Sequence, residues 1–142
     1  MTRDPTLAAY VLLTLLLLWA AVDRWAPYQG PVAACQLGDV VDGDTVHIWC
    51  GGVRRTARLT GFDAPETRSP RCPAEAALGA KATERLRALV AQGPVRLYRQ
   101  GFDKYGRDLV ALTVSGRDVG DVLVAEGLAH RYHGAARGDW CG

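Results

Sequence analysis

Residues 34–50 read ACQLGDVVDGDTVHIWC, two apolar runs on either side of an Asp-Gly pair. Asp-Gly is a strong signal for a two-residue hairpin turn, because both turn positions tolerate positive φ, so the stretch predicts two antiparallel strands. In the second run Val46 and Ile48 alternate with Thr45, His47 and Trp49, the period of a strand with one buried face. A turn centred on Asp42 and Gly43 sets a register in which Cys35 faces Cys50, and that pair is the first disulfide expected.

Working outward, VRRTARL at 53–59 follows Gly51-Gly52 as a third strand. Residues 73–92 predict a helix: Pro73 suits an early helical position, and Leu78, Ala82, Leu86, Leu89 and Val90 form one apolar stripe. Gly93-Pro94 stops it. VRLY and LVALTV supply two more strands, and Asp118 caps a shorter helix, VGDVLVAE, that ends at Gly127. Three strands, a helix, two strands and a helix predict an α+β domain over 33–142, built on a five-stranded Greek-key barrel of the OB type.

The first 25 residues are of another kind. LAAYVLLTLLLLWAAV at 7–22 carries no charge and reads as a membrane-directed helix. Signal peptides have apolar stretches of about 7–15 residues and anchors need roughly 17–25, so sixteen residues fall between. Trp25 and Tyr28 suit a membrane interface, and no small-x-small cleavage site directly follows the run, which favours an anchor over a cleaved leader. APYQGP from residue 26 predicts a linker over 26–32. VAAC at 32–35 resembles a lipoprotein cleavage box but stands too far from the apolar run.

Beyond residue 30 there are fifteen Lys and Arg against thirteen Asp and Glu, so net charge alone makes no case for nucleic acid. Thirteen of those fifteen cations are arginine, which suits bidentate phosphate contacts or reflects a plain composition bias. Four cysteines on an exported chain predict two disulfides, Cys35–Cys50 and then Cys72–Cys141, the second stapling the tail. Four reduced cysteines are the alternative, and the absence of any C-x-x-C spacing argues against zinc.

Three segments carry the chemistry. Asp42 is explained by the turn, but Asp44 opens a strand, where aspartate is unfavourable, and with Asp63 it forms a plausible hard-cation pair. In RLTGFDAPE, 58–66, Pro65 stiffens a loop that presents Asp63 and Glu66, with Arg58 on the strand before it. DKYGR, 103–107, ends a strand-to-strand turn on Arg107. Two cation-binding acids, a spare carboxylate and two guanidiniums are what phosphodiester hydrolysis needs.

Taken in order, VVDGDTVHI, RLTGFDAPET, DKYGRDLVAL and LVAEGLA resemble the staphylococcal nuclease (thermonuclease) family over about residues 36–132. The resemblance implies an OB-fold enzyme that hydrolyses DNA and RNA with Ca2+ and leaves 3′-phosphate ends. It implies Asp44, Asp63 and the backbone carbonyl of Ala64 as metal ligands, and Glu66 as the base or water-positioning acid. Arg58 and Arg107 match its phosphate-binding arginines, and Lys104 and Tyr105 its contacts to a terminal phosphate.

The chain departs from that pattern at its end, HRYHGAARGDWCG, where a third helix and base-stacking tyrosines are expected. His133 falls near one such tyrosine, with Tyr132 beside it; His47 reads as a surface residue, and His130 with His133 as solvated or substrate-facing. The expectation is a monomeric, extracytoplasmic, membrane-tethered nuclease with no obligate protein partner. The competing readings are a non-catalytic OB module for nucleic acid or protein, and a purely structural domain; both sit poorly with a complete set of acids and arginines.

Overall fold

The computed structural model describes residues 4–25, 35–134 and 137–142, without the side chains of 23–25. The chain divides into two compact units, Met1–Val32 and Ala33–Gly142. In the first, α1 spans Pro5–Trp25. Its stretch Pro5–Val22 has a mean hydropathy of 2.1 and none of it is buried, so it is long and apolar enough to cross a membrane by length and composition. The linker over 26–32, Tyr28, residues 32–34 of the VAAC segment and the Trp25 side chain lie outside the described residues.

The second unit runs β1 (Gln36–Asp42), β2 (Thr45–Cys50), β3 (Val53–Leu59), β4 (Phe62–Asp63), α2 (Pro73–Val90), β5 (Val95–Phe102), β6 (Asp108–Val114), β7 (Arg117–Asp118), α3 (Val119–Ala125) and β8 (His130–Arg131). The main sheet has the order β1-β2-β3-β6-β5, with β7 on β6, while β4 and β8 pair separately. β3 and β6 lie parallel, with Ala57 opposite Asp108 and Arg58 opposite Leu109. The two-residue strands β4, β7 and β8 have no counterpart in the expected five.

Two expectations are corrected. The Greek-key barrel is not closed: β1 and β5 come near each other but are the two edges of the sheet. Both edges carry register shifts, in β1 between Leu37 and Val40 and between Val40 and Asp42, and in β5 between Arg99 and Gly101. Such irregularities bend and twist a strand away from a regular ladder. The hairpin turn also sits one residue later than predicted, since Asp42 pairs with Thr45 and leaves Gly43 and Asp44 at its centre. Asp44 thus escapes the strand and turns to tertiary partners. The two shifts in β1 then bring Gln36 opposite Trp49, and the neighbouring Cys35 and Cys50 are bonded at 2.02 Å.

The core forms where Val46, Ile48, Ala57, Leu59, Val110 and Leu112 of the sheet meet Ala82, Leu86 and Leu89 of α2 and Leu123 of α3. Each fully buried leucine or valine there is worth about 1.5–3 kcal/mol. The α2 stripe extends N-terminally through Gly79 and Glu75, which face a loop rather than the sheet. Cys72 caps α2, its sulfur accepting the N–H of Glu75 at 3.4 Å, and is bonded to Cys141, so the N-terminus of α2 and the end of the chain share one anchor.

Candidate active site

Arg58 is at the centre. It lies opposite Thr45 on β2 and beside Leu109 on β6, with a side chain only 10% exposed. Its Nη2 stands 3.0 Å from Asp44 Oδ2 and 2.9 Å from Asp63 Oδ1. Both acids are buried, and a buried carboxylate is costly unless paired. One guanidinium thus bonds two acids brought together from a turn and a loop, and its single positive charge balances only one of them.

Each acid is fixed from behind. The Asp44 carbonyl accepts the N–H of Leu59 at 2.8 Å, its Oδ1 the Thr45 hydroxyl at 3.0 Å, and its Oδ2 the N–H of Ala64 at 3.3 Å. Asp63 is held by the pairing of β4 with β8, opposite His130. Its Oδ2 is buried and, among the described residues, has no hydrogen-bond partner. A buried oxygen of that kind calls for an explanation, and two adjacent hard carboxylates fit a divalent cation such as Ca2+. Among the described residues no three His, Cys, Asp or Glu side chains gather, so a cation there would draw further ligands from other oxygens such as backbone carbonyls and water. Asp42, next to the pair, has its carboxyl raised above the usual range by burial and then by the charge of Asp44.

Glu66 projects from a clamped loop. Its Oε1 accepts the N–H groups of Thr67 and Arg68, each at 3.0 Å. Its own N–H donates to Glu75 Oε1 at 3.4 Å, and the other Glu75 oxygen accepts from Arg71 N–H at 2.6 Å. The Arg71 N–H hydrogen bond, with help from Glu66 N–H and against burial, holds the Glu75 carboxyl below its usual range. Glu75 is a residue that the sequence reading missed. The signal was a capping-box spacing from Cys72, obscured because cysteine stands where serine or threonine is usual.

Arg107 is steadied by another overlooked acid. Asp103 accepts the N–H groups of Tyr105 and Arg107, both at 2.9 Å, and Arg107 Nε at 2.6 Å. Burial alone would raise its carboxyl, but these bonds outweigh it and hold the group below its ordinary value. Glu66 and Arg107 line one polar cleft of about 480 Å³, together with Asp42, Thr45, His47 and Thr56. Arg58, Asp44 and Asp63 are not among its lining residues; the link to them is Thr45, which lines the cleft and whose hydroxyl donates to Asp44 Oδ1. Lys104 and Tyr105 stand at the exposed tip of the β5–β6 turn, the Lys104 ammonium 5.0 Å from the Tyr105 ring centre. A larger groove beside α3, about 590 Å³, is lined by Thr113, Arg117, Asp121 and Glu126 and holds none of the predicted site residues.

Other groups have neighbours that the sequence did not announce. His47 keeps a partly exposed place at the surface, between Asp39 and Arg54. His130 stacks on Trp140 with ring centres 3.8 Å apart. Tyr132 lies against Arg58, whose guanidinium carbon is 5.9 Å from the ring centre. Asp108 is buried between Arg55 Nε at 2.9 Å and Arg99 Nε at 2.5 Å, and both arginines pack on Phe102. Arg137, also missed, stands with Nε 3.2 Å from Asp63 Oδ1 and Nη1 3.7 Å from Glu66 Oε2.

The family described as "Staphylococcal nuclease homologue" matches residues 56–139, more than half of the chain, and that span holds Arg58, Asp63, Glu66 and Arg107. The chain belongs to the staphylococcal nuclease family. Among curated proteins it is similar to endonuclease YncB of Bacillus subtilis (strain 168), 36% identical over 96 residues, covering 66% of this chain and 45% of that one. It is 28% identical to micrococcal nuclease of Shigella flexneri over 130 residues, 84% of this chain and 68% of the relative. With the thermonuclease of Staphylococcus hyicus it shares 33% identity over 92 residues, 63% and 54%. The chain thus spans less than half the length of YncB.

Proposed function

We propose that this chain is a Ca2+-dependent nuclease that hydrolyses the phosphodiester bonds of DNA and RNA and leaves 3′-phosphate ends. The observation that carries the reading is the meeting of Asp44 and Asp63 on the one Arg58 nitrogen, beside the cleft that Glu66 and Arg107 line.

Asp44, Asp63 and the carbonyl of Ala64 would hold the metal. When bound, calcium supplies positive charge beside the phosphoryl oxygens as negative charge builds there. Arg58 and Arg107 donate to those oxygens and hold them more tightly as their charge grows, which lowers the barrier. Glu66, oriented by the Thr67 and Arg68 amides, takes the proton of the attacking water. Water oxygen bonds to phosphorus, the 5′ oxygen leaves with the bonding pair and takes a proton from solvent to become a hydroxyl, and the phosphate stays on the 3′ side. Lys104 and Tyr105 contact a terminal phosphate of the substrate from the turn above.

The N-terminal helix and two disulfides support an extracytoplasmic enzyme tethered through α1. Incubating the full chain with plasmid and with RNA, in calcium or a chelator, tests the reading. Products of both substrates should carry 3′-phosphates, seen as ends that need phosphatase before extension or tailing, and should vanish with the chelator. Intact substrates in calcium, or cleavage indifferent to the chelator, would contradict it.

A further inference from the structure

Arg137 has no place in the set of residues expected from the sequence, yet it touches two of them. Its Nε lies 3.2 Å from Asp63 and its Nη1 3.7 Å from Glu66, and half of its side chain remains exposed. A charged side chain from a chain end would ordinarily stay in solvent. Here the backbone that carries it is fixed at several points.

Cys141 is bonded to Cys72 at the start of α2. Trp140 stacks on His130, the residue paired with Asp63. Arg71 Nη2 donates to the Gly138 carbonyl at 3.1 Å, and Asp139 Oδ1 accepts the N–H of Cys141 at 3.1 Å. Gly138 lies so close to His130 that an added Cβ would stand 2.2 Å from Nδ1, so a side chain there would have to push the His130 ring aside. Residues 137–142 therefore form a strap laid across β8, with Arg137 held where it reaches both Asp63 and Glu66.

We infer that Arg137 is a third substrate-binding arginine of this site, donating to a phosphate of the bound strand, and that the Cys72–Cys141 strap exists to place it. The inference rests on the nuclease reading and extends it. The guanidinium has five donors in a planar fork, and the contacts to Asp63 and Glu66 engage only Nε and Nη1. Arg58 and Arg137 both reach the same Asp63 oxygen, Oδ1, so a phosphate drawn to one guanidinium comes within reach of the other.

The test uses the full chain in detergent and a labelled single-stranded oligodeoxynucleotide, with a chelator present so that nothing is cleaved. Fluorescence anisotropy is read over a range of salt concentrations for the unaltered protein, Arg137→Ala, Arg137→Lys, Cys72→Ser/Cys141→Ser and the distant Arg117→Ala. Removing one charge-assisted phosphate contact should weaken binding about tenfold and flatten the salt slope by about 0.7. Arg137→Lys should recover part of the loss, the double serine variant should match Arg137→Ala without adding to it, and Arg117→Ala should change nothing. Unchanged or tighter binding by Arg137→Ala overturns the inference, the tighter case marking Arg137 as a plug over the acids. Failure of the nuclease reading looks different: no cleavage in calcium, and Arg58→Ala and Arg107→Ala as indifferent to the strand as Arg117→Ala.

Discussion

Gly79, midway along α2, packs so closely on Pro65 that a Cβ at position 79 would stand 2.9 Å from the Pro65 carbonyl oxygen. The same atom would meet Thr67 Cγ2 at 2.9 Å and the Glu66 carbonyl at 3.2 Å, so the helix carries a seat cut for the loop that presents Glu66.

Gly79→Ala sets two effects against each other. Alanine gains about 1 kcal/mol of helix propensity over glycine, but the loop must be pushed off backbone atoms that cannot rotate away. The steric effect should win, giving a lower melting temperature and at least a tenfold loss of kcat. Melting curves and steady-state kinetics of the variant check both, and a stabilised, fully active Gly79→Ala protein would mean the loop is free to shift.

Asp42 predicts a stability effect with a definite pH sign. Its folded carboxyl is raised, first by burial and then by Asp44, so the folded state is penalised once the group ionises. The penalty is absent below the unfolded carboxyl range near about pH 4 and is fully present above the raised folded value. Asp42→Asn keeps an oxygen to accept the Asp44 N–H, which now donates to Asp42 Oδ1 at 3.2 Å. It should raise the melting temperature at pH 7, with the gain fading as the pH falls to 4. A gain that is constant with pH would point to something other than charge.

The Arg55–Asp108–Arg99 cluster predicts an asymmetry. Removing both arginines leaves a buried carboxylate alone, which should cost about 3–5 kcal/mol. Asp108→Asn removes the charge instead and frees two arginines that can reach solvent, so it should cost clearly less. Urea midpoints of the two variants give the comparison, and equal losses would contradict it.

The disulfides should differ by the length of chain they close. Cys72 and Cys141 are 69 residues apart and Cys35 and Cys50 are 15 apart. In the chain-entropy view these correspond to about 4 and about 3 kcal/mol. Paired serine variants, unfolded in urea, should rank in that order, and a loss of ordered tail with no change in stability would argue against the longer bridge as a restraint.

Local signals announced the elements that depend on local chemistry. Leu86 and Leu89 gave α2 its stripe, Pro73 its start, and Asp118 caps α3 by accepting the N–H groups of Gly120 and Asp121. The hairpin was visible, but its turn was placed one residue early, because Asp44 is drawn out of the strand by Arg58 and Ala64, partners 14 and 20 residues away. The two bulges that compensate leave no mark on the apolar alternation of β1. β4 and β8 are two residues each, too short for any periodicity, and the open edges of the sheet are a property of strand twist rather than of composition. In the site, Arg58, Asp63 and Glu66 stand out because they crowd one segment. Asp103, Glu75 and Arg137 act through contacts that only the fold creates, and each looked like an ordinary polar residue of a turn, a helix start or a tail.

The most direct test of the central claim is the single-turnover cleavage rate of a labelled single-stranded DNA by the unaltered chain and by Glu66→Gln, in saturating calcium, with folding checked by circular dichroism. Loss of a positioned base should slow the variant about 10²–10⁴-fold while its affinity for the strand stays within a few fold. A folded Glu66→Gln protein that cuts as fast as the parent would show that the carboxylate beside Asp63 and Arg107 has no part in the chemistry, and that phosphodiester hydrolysis does not take place in this cleft.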